Sequence, residues 1–180
     1  MGMASLVVLP TLFIFVLLHE YGHCWAAQRC GLRVQSVKLW FLGGLATIEG
    51  LGHIPPKQEA FISFAGPMVN LIIALIAGLW MMIAGNSLLV AYILLMNQVL
   101  AIFNLIPAFP MDGGRLLRSF LHWKTGDFYK ATRSAASIGM FISFGFFFTG
   151  MAVGNFMLMF IFGYIGMTCY SILKNDNLIV

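Results

Sequence analysis

The sequence predicts an all-α polytopic membrane protein: a bundle of about five transmembrane helices with a small membrane-associated β hairpin. Three observations carry that expectation. Of the 180 residues, 61% are hydrophobic and 9% charged, where a soluble domain carries roughly a quarter charged residues. Mean hydropathy is +0.93. Apolar runs long enough to cross a hydrocarbon core of ~30 Å recur along the chain. The 17 Phe and 12 Met suit lipid-facing and adaptable packing surfaces, and a single domain over residues 1–180 is expected.

The elements follow in order. Met3 to Ala27 is the first apolar run, about 37 Å long as a helix. Pro10 should kink it, and Gln28, Arg29 and Gly31 end a span over 3–29. Within 33–49, Val34, Val37, Leu39 and Phe41 favour strand, Gly43-Gly44 reads as a turn, and Leu45 to Glu49 resumes the strand. These segments are too short to span, and their edges must be covered by protein or lie at the interface. A plain interfacial hairpin fits; so does an edge that docks an extended peptide, with Gly43 and Gly44 as substrate contacts. Pro55-Pro56 opens a span over 57–84, where Ala65, Gly66 and Ala74 allow close helix contact. A third span covers 88–105. Two prolines and two glycines between Pro107 and Gly114 then forbid regular helix, so Asp112 is expected on bent or unwound backbone. A short basic interfacial helix over 113–123 precedes spans over 128–149 and 152–173.

The 10 Lys and Arg all fall at one set of span ends, while the turns near Gly85 and Gly150 carry none. By the positive-inside rule the N-terminus is external and the C-terminus cytoplasmic. The net charge of +4 is then topological, and no nucleic-acid partner is expected.

Within the first run stands His19-Glu20-Tyr21-Gly22-His23. Two histidines four apart share one helix face, where both imidazoles reach one metal ion. Glu20 is placed to hold and deprotonate a water. His19 precedes Arg29 by ten residues, about 15 Å of helix, so the site should lie within the membrane, nearer the cytoplasmic face. A catalytic zinc usually has three protein ligands. Asp112 is the best-placed third ligand, with a helix N-cap as its plainer alternative. His53 is the runner-up, and His122 reads as a surface residue. Cys24, Cys30 and Cys169 match no zinc module, and Cys24 points away from His23. Asn70 is a polar side chain deep in a span, suited either to interhelical glue or to substrate binding.

His19-Glu20-Tyr21-Gly22-His23, Ala65-Gly66-Pro67-Met68-Val69-Asn70 and the segment from Asn104 to Arg115, with its Pro-Met-Asp-Gly-Gly-Arg, occur in that order. Together they resemble the site-2 protease family of intramembrane zinc metalloproteases. The last motif is similar to the archaeal and bacterial branch that includes the sporulation-factor proteases. The Gly43-Gly44 stretch resembles the family's membrane-embedded strand region. The match covers about residues 10–125. It implies one Zn2+ per chain on His19, His23 and Asp112, Glu20 as general base, and Asn70 on the substrate backbone or oxyanion. It also implies that the substrate is a transmembrane segment of another membrane protein, met within the lipid bilayer. Two further classes stand beside this one. A metal transporter would spread ionisable residues along a path through several spans, whereas these gather on one side. An inactive homologue that binds transmembrane segments would have less need of Glu20.

Overall fold

The computed structural model describes residues 2–40, 43–48, 54–85 and 87–175. Its elements are helix α1 (Gly2–Arg29), strands β1 (Val34–Trp40) and β2 (Gly43–Ile48), and helices α2 (Pro56–Ala84), α3 (Leu88–Asn104), α4 (Asp112–Thr125), α5 (Phe128–Ala152) and α6 (Phe156–Lys174). They sort into two compact units. One holds α1, the β pair, α2 from Phe64 onward, and α3. The other holds the opening turns of α2 up to Ser63, and α4, α5 and α6.

The expected fold class needs correcting. The class is mostly helical, but in place of a bundle of about five transmembrane helices the described residues form six helices. Among the described residues, three helices, α2, α5 and α6, are long and apolar enough to cross a membrane. The physical reason lies in the composition. Counting apolar runs does not separate a spanning helix from a shorter one such as α3, whose 17 residues give about 26 Å of helix.

The strand region also differs from expectation. β1 and β2 pair antiparallel, with Trp40 opposite Gly43, Leu39 opposite Gly44 and Val34 opposite Ile48. Gly43 and Gly44 therefore sit in the ladder rather than in the turn. A Gly pair is a strong turn signal, but in a strand it marks a place where another backbone can come close. Positions 41 and 42 lie outside the described residues, as do Glu49, His53 and Asp176.

In the first unit the strands pack on α1. α1 also meets α2 closely at Gly22. A Cβ on Gly22 would stand 2.7 Å from the Ala65 carbonyl oxygen and 2.9 Å from Val69 Cγ2. Gly22, inside the histidine motif, is thus what lets the two helices approach, as small residues do between membrane helices.

In the second unit α5 packs along α6 and against α4. The seam is lined with small residues: Ala131, Ala135 and Ala136 are fully buried. A Cβ on Gly139 would come 2.8 Å from Ala108 Cα and 3.0 Å from Cys169 Sγ. Phe146 stacks on Phe162 with ring centroids 4.5 Å apart. Asp127 caps α5 by accepting from the Lys130 backbone N–H at 2.9 Å. Asn155 caps α6 by accepting from the Leu158 N–H at 3.0 Å. α4 ends at Gly126, whose φ of 70° is the left-handed conformation glycine favours at a helix C-terminus. The segment before α4 is non-helical and contains a cis Phe109–Pro110 bond. It folds tightly onto the first turn of α4: a Cβ on Gly113 would overlap the Leu105 and Ile106 carbonyls, and one on Gly114 would come 2.8 Å from the Ala108 backbone. The two glycines after Asp112 are therefore a steric requirement.

One buried ion pair was not legible in the sequence. Arg118 Nε donates to Glu59 Oε1 at 2.8 Å, and Nη2 donates to the same oxygen. The Glu59 side chain is 1% exposed and that of Arg118 13%. The guanidinium also lies over the Phe128 ring at 4.7 Å.

Candidate metal centre

His19 and His23 lie on successive turns of α1, both buried. Their Nε2 atoms are 3.1 Å apart, and their ring planes stand at 80°. Two nitrogens each ~2.0–2.1 Å from a tetrahedral zinc ion are about 3.3 Å apart. The imidazoles therefore already hold close to the spacing that a shared metal requires. Glu20, between them in sequence, is half-buried.

Support for the pair comes from α2 and α3. His19 Nδ1 is 2.6 Å from Asn70 Oδ1. Asn70 Nδ2 donates to Asn97 Oδ1 at 2.9 Å, and Asn97 Nδ2 donates to the Ile93 carbonyl at 2.9 Å. Both asparagines are completely buried. Gly66 packs directly on the imidazoles, since a Cβ there would overlap Nε2 of both His19 and His23.

Asp112 belongs to the second unit. Met111 occupies the N-cap position of α4, and Asp112 is its first helical residue. The side chain is 7% exposed. His19, His23 and Asp112 are each buried, and each is of a residue type that can hold a metal ion. An imidazole pair with one carboxylate is a donor set that zinc accepts. Of the other candidates, His53 lies outside the described residues. His122 packs edge-on to Phe128 at 5.5 Å, and Cys24 is a buried free thiol. Gly43 and Gly44 lie in β2, paired with β1.

Two residues matter more than the sequence suggested. Asn97 read only as a polar point in an apolar run, and Gly66 only as a small contact residue. The available signal was depth: a polar side chain within apolar helix usually has a partner of consequence.

Similarity to known proteins agrees with this geometry. Peptidase family M50 matches residues 7–88 and 80–149. The chain belongs to peptidase family M50. It is 39% identical over 159 residues to a zinc metalloprotease of Methanocaldococcus jannaschii, covering 86% of this chain and 46% of that one. It is 33% identical to stage IV sporulation protein FB of Bacillus subtilis, over 68% of this chain and 42% of that one. The solved structure of a site-2 protease from Methanocaldococcus jannaschii superposes with a TM-score of 0.71 at 34% identity, covering 90% of this chain and 75% of the other. The M50 chain thus spans less than half the length of these curated relatives. With three helices of spanning length and apolarity among the described residues, it is a membrane protein.

Proposed function

We propose that this M50 chain is an intramembrane zinc metalloprotease that hydrolyses peptide bonds in transmembrane segments of other membrane proteins. The observation that carries the reading is the pair of buried imidazoles on α1, with Nε2 atoms 3.1 Å apart, beside Glu20. His19, His23 and Asp112 would hold one zinc ion. When bound, zinc supplies a Lewis acid that polarises the scissile carbonyl and eases ionisation of water at neutral pH.

The chain's own residues do the rest. Glu20 takes a proton from the attacking water and passes it to the leaving amine. Asn70 engages both ends of its amide, with His19 and with Asn97. Contact with the substrate backbone or oxyanion would require it to release one of these bonds. The sheet has two strands among the described residues, so β2 offers an edge to an extended peptide. Gly43 and Gly44 have no side chain to obstruct that approach. Pairing there offsets part of the cost of unwinding a substrate helix. Positive charge at the helix ends supports a cytoplasmic C-terminus, with the site in the bilayer nearer that face and reached by water from it.

The test is cleavage of a transmembrane substrate by purified protein, with and without chelator. Glu20→Gln should retain zinc and cut on the order of 10²–10⁴-fold more slowly. Asp112→Ala should lose zinc. A Glu20→Gln variant that cuts at the native rate removes the mechanism, and full zinc occupancy in Asp112→Ala removes the third ligand.

A further inference from the structure

We infer that Asn97 is a positioning residue that fixes the tautomer of His19 through Asn70. The inference rests on the reading of His19 as a metal ligand. It follows from the direction of three hydrogen bonds.

The chain of bonds starts at a group with no choice. The Ile93 carbonyl can only accept, so the Asn97 atom 2.9 Å from it must be the amide nitrogen. The other end of that amide, Oδ1, therefore faces Asn70. An oxygen there demands a donor, so the Asn70 atom at 2.9 Å must be Nδ2. Turning Asn70 over would set two oxygens against each other inside a fully buried site, which leaves both acceptors without a donor. Asn70 Oδ1 is thereby directed at His19 Nδ1, 2.6 Å away. A neutral imidazole facing an oxygen must carry its proton on that nitrogen. Nε2 then keeps its lone pair, on the side where His23 Nε2 lies 3.1 Å away.

A backbone carbonyl of α3 thus decides, through two asparagines, which nitrogen of His19 can bind metal. Without Asn97 an amide at Asn70 could present either end to the imidazole, and His19 could hold its proton on Nε2, where a metal would have to displace it. The net charge is the same in both arrangements. Only the direction of the bonds differs.

The experiment uses full-length protein carrying 15N-labelled histidine, stripped of metal and then titrated with zinc. In the native stripped protein His19 should show a protonated Nδ1 and an unprotonated Nε2, assigned by comparison with His19→Gln. The opposite tautomer would overturn the inference without any variant being made. Asn97→Leu should scramble that pattern and weaken zinc binding about 10–100-fold, as loss of a partner behind a metal ligand does. Adding Asn70→Asp to Asn97→Leu should restore the pattern, because a carboxylate offers only acceptors and needs no instruction from Asn97. Native tautomer and native zinc affinity in Asn97→Leu would overturn the proposal. So would a folded double variant that binds zinc no better than Asn97→Leu, since Asn97 would then act by packing alone. Failure of the native chain to bind zinc counts instead against the proposed function, because the imidazole spectrum reads the tautomer with no metal present.

Discussion

A Cβ added at Gly66 would overlap Nε2 of both His19 and His23. The imidazoles have little room to retreat, since His19 is bonded to Asn70 at 2.6 Å and both rings are buried. Gly66→Ala should therefore displace the nitrogens from the spacing a metal needs. Overpacking of this kind costs about 1–3 kcal/mol, which corresponds to roughly a 5- to 150-fold loss if it falls on metal affinity. Zinc titration against a competing chelator measures it, and native affinity in Gly66→Ala would show that the rings move freely. The sequence displayed the histidines and Glu20 plainly, because spacing along one helix is local information. It showed Gly66 only as a small residue and Asn97 only as a polar one. What those two do depends on which side chains from other helices face them, and that is not a property of either segment alone.

At the level of elements, the second unit holds a charged pair where apolar packing would be expected. Burial pushes the Arg118 guanidinium below its usual range, and the Glu59 carboxylate pulls it back up. Removing one partner leaves the other charge buried, at a cost of about 3–5 kcal/mol. Glu59→Gln should thus lower thermal stability sharply. Glu59→Leu combined with Arg118→Met should be less destabilising than the sum of the two singles, because the pair is one unit; additive losses in a double-mutant cycle would show the pair to be uncoupled. The cap of α5 gives a pH-dependent case. The bond from the Lys130 N–H, and then the Lys130 ammonium, hold the Asp127 carboxyl below its usual range. A carboxyl whose value is lowered by folding stabilises the folded state above its unfolded pKa of ~3.9, and that contribution is lost as pH falls through the folded value. The difference in melting temperature between the native chain and Asp127→Asn, which keeps a cap but does not titrate, should be constant near pH 7 and change only below about pH 4. A difference that changes between pH 5 and 8 would mean another group is responsible. Helix positions were legible because apolar runs and their Pro, Gly, Asp and Asn boundaries are local. The number of crossings was not, since α3 and the spanning helices have similar composition and differ mainly in length. Nor was the placement of Gly43 and Gly44, whose turn signal gave way to pairing with Trp40 and Leu39.

For the whole molecule the remaining question is orientation, and the distribution of charge predicts it. Each spanning helix carries its basic residues at one end. α2 has Lys57 in its first turn and no basic residue in its last. α5 has Lys130 and Arg133 near its start, and α6 has Lys174 at its end. The connection between α5 and α6 passes through Val153, Gly154 and Asn155 and carries no charge. A Lys or Arg at the centre of a membrane span costs on the order of 2.5–3.5 kcal/mol, and the excess of such residues remains in the cytoplasm during insertion. The turn at Asn155 is therefore expected outside and Lys174 inside. In a chain whose three native cysteines are replaced, Asn155→Cys should react with an impermeant thiol reagent on intact cells. Thr125→Cys, at the basic end of α4, should react only after the membrane is opened. The reverse pattern would overturn the cytoplasmic assignment of Lys174 and of the basic end of α4.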